Sequence, residues 1–251
     1  MQANTNATDD TIDFALPGCT SSTPCTISLT SGELLIANNG TLTITGPGAD
    51  ALSVSGNNLS RVFNVSPGAI VIISDLKITG GRTGNGAASV ATGASGQDGT
   101  SGGGIYNDGG TLTLNNCNVS GNVTGNGGNG GPSGIRRQRY SRRDRRQGGN
   151  GAGLYNNAGV LTLNNTTVSG NTAGNGGAGG GGAQNGGRGG DGGKGAGIYS
   201  LNGSLTLTNS TVSGNNAGSG GPGVSAGFNG GSGGTGGDGG GIATPTGVRR
   251  L

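Results

Sequence analysis

The chain has 251 residues, 64 of them Gly, with no Trp, no His, one Met and only 10% charged side chains. Average Gly usage is about 7%, so a quarter is extreme; yet no Pro-rich Gly-X-Y triplet runs throughout, which excludes collagen, and low charge separates it from the usual disordered chain. The net charge of +3 is misleading, because seven of the 14 basic residues lie between Arg136 and Arg146, and the mildly acidic remainder has no basic face for nucleic acid.

Residues 1–35 are expected to form an N-terminal cap segment. Their opening, MQANTNATDD, lacks the apolar stretch of a signal peptide and starts in the middle of a pattern. The chain therefore reads as a fragment or processed form of a longer secreted or cell-surface protein. Cys19 and Cys25 bracket the loop CTSSTPC, which could close as a disulfide in an oxidising compartment; two free thiols are the alternative. No run approaches the roughly 18 apolar residues of a membrane helix.

Coils are expected over 36–247. GTLTITGPGADALSVSGNN alternates Leu42, Ile44, Leu52 and Val54 with polar residues, and GAIVIISDLKITGG aligns Val71, Ile73 and Ile78 with the same pattern. One block then recurs three times: GGGIYNDGGTLTLNNCNVSGN from Gly102, GAGLYNNAGVLTLNNTTVSGN from Gly151 and GAGIYSLNGSLTLTNSTVSGN from Gly195. Repetition at this scale signals stacked units, none able to bury its apolar face alone. Each block holds three short apolar pieces: an aliphatic-Tyr pair led by Ile105, Leu154 or Ile198, a TLTL-type strand of period two, and a strand ending Val-Ser-Gly-Asn. Three strands per coil predict an all-β fold, a right-handed parallel β-helix of about five coils, with Leu112, Leu161 and Leu205 piled in register. Equivalent positions from Val71 onward are 41, 49 and 44 residues apart.

Two sets of asparagines recur in phase with these leucines: Asn116, Asn165 and Asn209 at one corner, Asn122, Asn171 and Asn215 at another. Stacked amides can bond along the axis, and Asn tolerates the left-handed turn conformation. Ladders are therefore expected at both corners, with sugar binding as the alternative. Cys117 stands where later blocks place Thr166 and Ser210, so it reads as a small residue in a stack.

Long Gly-rich insertions occupy 82–102, 123–150, 172–194 and 216–239. All leave from the same corner and should emerge from one side of the solenoid as a row. They cannot bury enough apolar area to offset their ordering entropy, so a flexible fringe is expected, with a packed polyproline-like sheet as the alternative. Within the second insertion, GIRRQRYSRRDRRQGG invites a claim of RNA or heparin binding. A GC-rich Gly tract read out of frame also yields Arg codons, and the Gly pattern resumes at Gly148, so compensating frameshifts explain the run better. Residues 248–251 read as a truncated end of the same origin.

The chemistry-bearing residues are sparse. Asp75 and Asp108 are isolated carboxylates, Arg61 and Lys77 lone cations, and no His is present. The clustered carboxylates and base of a lyase are not visible, so no enzyme, metal or cofactor is expected. GGRGGD ending at Asp191 and GGTGGD ending at Asp238 match the opening of a calcium-binding nonapeptide, but Gly follows where an apolar residue should pack. Outward threonines (Thr41, Thr43, Thr45, Thr111, Thr113, Thr162, Thr206, Thr208) could form an ice-binding ladder, although Val160 and Ser204 interrupt one row.

The elements GGGIYN, GAGLYN and GAGIYS, followed by TLTLNN and VSGN, resemble bacterial surface β-helix proteins of the polymorphic-outer-membrane-protein and autotransporter-passenger type. The stretch from Thr11 to Phe63 resembles the N-terminal part of large secreted bacterial proteins that carry a CSLREA motif, which would lie upstream of this chain. The resemblance implies surface exposure and adhesion to host or matrix glycans or proteins, with outer-membrane or wall attachment through regions outside this chain. A non-enzymatic adhesive or structural role is thus expected; a pectate-lyase-like polysaccharide enzyme and an ice-binding solenoid are the alternatives.

Overall fold

The structure, a computed structural model, describes residues 8–14, 16–132, 146–181, 186–226 and 230–244. Residues 136–145 of the arginine run and the 248–251 end lie outside them. Among the described residues there is no helix, hence none able to cross a membrane. Eighteen strands instead form three parallel sheets of six, and the chain is a right-handed parallel β-helix.

Sheet 1 takes β1 (Asp10–Asp13), β4 (Thr41–Thr45), β7 (Ile70–Ser74), β10 (Thr111–Asn115), β13 (Val160–Asn164) and β16 (Ser204–Thr208) in that order. Sheet 2 takes β2 (Cys25–Ser28), β5 (Leu52–Ser55), β8 (Lys77–Thr79), β11 (Asn118–Ser120), β14 (Thr167–Ser169) and β17 (Thr211–Ser213). Sheet 3 takes β3 (Leu34–Ile36), β6 (Phe63–Val65), β9 (Ile105–Asp108), β12 (Leu154–Asn157), β15 (Ile198–Leu201) and β18 (Ile242–Ala243). Successive coils lie about 4.8 Å apart, the spacing of hydrogen-bonded strands.

Period-two patterning sends alternate side chains inward, and register turns them into columns. Leu42, Val71, Leu112, Leu161 and Leu205 form one column, each residue paired directly with the next. Val54, Ile78, Val119, Val168 and Val212 form another, and Leu34, Phe63, Ile105, Leu154, Ile198 and Ile242 a third. The middle members are fully buried, while Leu205 and Val212 in the last coil are partly so.

Corners close where the backbone enters the left-handed region. Between sheets 1 and 2 those residues are Asp75, Asn116, Asn165 and Asn209, at φ 57°, 51°, 48° and 49°. After sheet 2 they are Gly80, Gly121, Gly170 and Gly214, at φ 59° to 67°. Residues with a short polar side chain or no Cβ take this conformation at least cost.

The expected boundary at residue 35 has no counterpart in the sheets. β1 and β2 pair with β4 and β5 in full register, so residues read as a cap build the first of six coils rather than five. What obscured the pattern is Asp10, which occupies the core-facing position paired with Leu42.

The Gly-rich insertions correct the sequence reading more deeply: they are not a fringe. Each runs outward from sheet 2 as one arm and returns to sheet 3 as another, and neighbouring arms are hydrogen-bonded with period three. Thr124, Gly127 and Gly130 donate N–H to the carbonyls of Thr172, Asn175 and Ala178 at 3.1, 2.8 and 3.0 Å. Ala173, Gly176 and Gly179 repeat this to Asn216, Ser219 and Pro222 at 2.9, 2.8 and 2.9 Å. Returning arms do the same, Gly148 and Gly151 donating to Asp191 and Lys194, both at 3.0 Å. A zigzag then ties the two layers: Gly177 donates to Arg146, Gly190 to Gly177, Gly221 to Gly190 and Gly234 to Gly221, each at 2.8 Å. Three residues per repeat with all bonds made to neighbours is polyproline-II geometry assembled into a two-layer wing.

Wing contacts require glycine at every third position. A Cβ on Gly177 would stand inside van der Waals contact of the Gly128 carbonyl oxygen, and one on Gly174 would collide likewise with Gly125. The energy that composition could not supply comes from backbone hydrogen bonds, with almost no side chain to order.

Arg146 violates this rule. It stands in the column that holds Gly190 and Gly234 in the next two returning arms, is 5% exposed, and lays its guanidinium over Gly130. One guanidinium nitrogen donates to the Arg188 carbonyl, while Nε is buried with no partner. A buried cation with an unmet donor destabilises the array. Arg146→Gly is expected to raise stability by about 1–3 kcal/mol, read as a higher thermal midpoint; a lower midpoint would show that the arginine is integral to the wing.

Candidate functional site

Three long surfaces result, and each repeats one chemistry coil after coil. On the outer face of sheet 1 a central column runs Thr11, Thr43, Ile72, Thr113, Thr162 and Thr206. The neighbouring column is Thr41, Ile70, Thr111, Val160 and Ser204, so the threonine face is real but mixed with aliphatic residues.

The two faces of the wing differ in charge. The outgoing arms, 82–91, 123–132, 172–181 and 216–224, contain one charged residue, Arg82, at the foot of the first arm in register with Val123, Thr172 and Asn216. The returning arms carry Asp98, Arg146, Arg188, Asp191, Lys194 and Asp238. On the outgoing face, Asn85, Asn126, Asn175 and Ser219 form a row. Each asparagine Oδ1 accepts the backbone N–H of the next member, and all three bonds are 2.8 Å. A second row places Asn129 Oδ1 against the Ala178 N–H at 2.9 Å. Those side chains satisfy N–H groups of Asn126, Asn175, Ala178 and Ser219 that the arms themselves leave over. Between the rows lies a groove of about 320 Å³ with Asn85, Asn126 and Asn175 on one side, Ala88 and Asn129 on the other, and glycine backbone as its floor.

On the charged face the same device uses Asp98 and Asp191, whose Oδ1 atoms accept the N–H of Gln147 and Thr235, both at 2.8 Å. Asp191 also pairs with Arg188 at 2.9 Å, and Asp238 with Lys194 at 2.8 Å. The two GGxGGD segments thus lie in adjacent stacked arms but three residues out of register, Asp191 against Thr235 and Asp238 against Lys194, and their carboxylates tie the arms together.

Where the returning arms enter sheet 3, Tyr106, Tyr155 and Tyr199 stack at ring-centroid distances of 5.1 and 5.2 Å. Arg61, read as a lone cation, caps this stack 4.9 Å above the Tyr106 ring and pairs with Glu33 at 2.7 Å. Its Nε and second terminal nitrogen donate to the carbonyls of Gly102 and Ser101. Burial pushes its pKa down, opposed by Glu33. The tyrosine column was visible in the sequence at the leucines' own spacings, yet nothing in composition said that the rings face outward and touch.

Burial, and secondly the facing Tyr199 and Tyr106, push Tyr155 up to about 12. An unfolded tyrosine titrates near 10, so the stack's contribution to stability is complete below pH 10 and is lost as pH rises towards 12. In the folded chain the Tyr155 phenolate should form about two pH units later than that of free tyrosine, with Tyr106 and Tyr199 also delayed, and the lag should vanish on unfolding. Titration of every tyrosine near 10 would contradict the stacked geometry.

The predicted ladder residues divide. Asn122, Asn171 and Asn215 form a continuous amide ladder, Nδ2 to Oδ1 at 2.9 Å in both steps, with Asn122 and Asn171 wholly buried. Asn116, Asn165 and Asn209 are exposed turn residues, and amide stacking at that corner falls one position earlier, where Asn164 Nδ2 donates to Asn115 Oδ1 at 2.9 Å. The inward slot after the turn holds Cys117, Thr166 and Ser210, linked by bonds from the Cys117 and Thr166 N–H groups to the following hydroxyls at 3.3 and 3.1 Å. Burial raises the Cys117 thiol to about 11. A further internal ladder, Asn107 to Asn156 to Ser200 at 2.8 and 3.1 Å, escaped the sequence reading. Cys19 and Cys25 are joined by a disulfide with Cα atoms 5.3 Å apart. Asp75 and Asp108 lie apart, one at a turn accepting Asn116 Nδ2 at 3.1 Å, the other in sheet 3 accepting Asn157 Nδ2 at 2.7 Å.

The chain matches no family model, no curated protein and no solved structure.

Proposed function

We propose that this chain is a non-enzymatic β-solenoid, secreted or displayed at a cell surface, that adheres through its long faces to host or matrix glycans or proteins. The observation that supports this reading is the register: like small polar groups face outward in columns running the length of the prism and wing. Such columns offer many weak contacts to an extended partner, and multivalency converts weak contacts into firm attachment. The disulfide fits an oxidising compartment, and the resemblance to bacterial surface β-helix proteins points the same way. Outer-membrane or wall attachment would be supplied by regions outside this chain.

The test is retention of the purified chain on immobilised matrix glycoproteins and polysaccharides, with pectin and alginate digests run beside it. Retention without unsaturated products is expected. Unsaturated products would replace this reading with a lyase of the pectate-lyase-like kind. The threonine column on sheet 1 favours ice binding as a second reading, and measurable thermal hysteresis would favour it over adhesion; the aliphatic residues in the adjoining column weaken the repeat that an ice lattice would need.

A further inference from the structure

We propose that the outgoing face of the wing is a binding site for a neutral, hydroxyl-rich polysaccharide lying along the solenoid axis across successive arms. This names the partner class of the adhesive reading and rests on it. Three independent features of the face converge on that ligand.

The first is charge segregation. Both wing faces come from the same Gly-rich insertions, yet every charged residue of the described arms falls on the returning side, except Arg82 at the foot of the first outgoing arm. An acidic polymer or a nucleic acid would need a row of cations to neutralise it; the outgoing arms supply only Arg82 at one foot, and none lines the groove.

The second is the orientation of the carboxamides. Because Oδ1 of Asn85, Asn126 and Asn175 is engaged by a backbone N–H, each amide plane is fixed before any ligand arrives. Each Nδ2 keeps two N–H donors on an exposed residue, and the arrangement recurs once per arm. A partner must therefore offer acceptors at regular intervals along a line, as the hydroxyl and ring oxygens of a glycan chain do. Preorganised donors lose little rotamer entropy on binding.

The third is the floor. Between the asparagine rows the groove bottoms on glycine backbone, which lets a thin chain approach closely. An extended peptide binds by pairing with free backbone groups, and here most N–H groups of the arms are already bonded to neighbouring arms and side chains.

The experiment uses the full chain in affinity electrophoresis through gels containing laminarin, xylan or dextran, with alginate and heparin as acidic counterparts. Retardation by at least one neutral polymer and by neither acidic one is expected; retardation by none, or by the acidic polymers alone, overturns the proposal. A paired Asn126→Asp, Asn175→Asp variant keeps both Oδ1 acceptors for the wing and removes both outward donors. It should melt as the parent does and bind the neutral polymer at least about tenfold more weakly, one hydrogen bond's worth of affinity. Asp191→Asn on the returning face should bind unchanged.

Should the paired variant fail to fold, the unaltered chain decides. Side-chain amide resonances of Asn126 and Asn175 should shift on adding an oligosaccharide of the retained polymer, and stationary resonances overturn the site. A variant that binds as tightly as the parent sinks this site and leaves the adhesive role standing, whereas a chain that holds to no polymer and no matrix surface sinks both.

Discussion

Gly177→Ala is expected to unfold the wing, whereas Gly84→Ala, in the first outgoing arm, should be silent or slightly stabilising. The two glycines look alike in the sequence. A Cβ at Gly177 would enter the van der Waals shell of the Gly128 carbonyl, backbone that cannot yield without breaking the Gly177 bond to Arg146 at 2.8 Å and the Gly190 bond back to Gly177 at 2.8 Å. At Gly84 nothing lies within 4 Å. Overpacking against fixed backbone costs about 1–3 kcal/mol and more where nothing relaxes. The zigzag makes the loss shared, because each carbonyl in it is polarised by the next bond. Replacing glycine where the backbone permits it gains roughly 0.4–1 kcal/mol through the unfolded state.

Amide hydrogen exchange separates the outcomes. In the Gly177 variant, protection should fall across Gly176, Gly190 and Gly221 while the β10–β13 ladder stays protected. Equal loss in prism and wing would mean that the two fold as one unit, and no loss anywhere would mean that the arms are not packed as described.

This contrast shows what was legible and what was not. The leucine columns could be read because period two and the 41-, 49- and 44-residue spacings dictate register directly. The wing was judged by its lack of apolar area, which is the right criterion for a hydrophobic core and the wrong one for this array. Its signal was the period of Gly125, Gly128 and Gly131, matched by Gly174, Gly177 and Gly180. Arg61 was read as a lone cation because its partners, Glu33 and Tyr106, are distant in sequence and adjacent only through coil stacking. The first coil was hidden by a single acid, Asp10, at a core-facing position.

The asparagines carry the same lesson to a second test, in which one substitution made at two corners should give opposite results. Asn165→Gly is expected to leave stability nearly unchanged or to raise it slightly. Its φ of 48° lies where glycine rests without strain, and no side-chain bond of Asn165 is lost with the amide. Asn171→Gly should be among the costliest substitutions in the chain. Asn171 Oδ1 accepts from the Asn122 N–H and Nδ2 at 3.0 and 2.9 Å, and its Nδ2 donates to Asn215 Oδ1 at 2.9 Å and the Val119 carbonyl at 3.0 Å. Removing it strands buried donors and acceptors on both neighbouring coils, at about 1–3 kcal/mol each; together a loss of roughly 4 kcal/mol or more is expected, the range reserved for broken buried networks. The damage should also travel outward, because the ladder stands at the corner from which the arms depart, and Asn122 Oδ1 in turn accepts the Gly81 N–H at 2.8 Å. Denaturant midpoints of the two variants decide the matter. Equal destabilisation would mean that Asn165 also belongs to a ladder, and a mild effect at Asn171 would mean that water can replace the amide inside the prism.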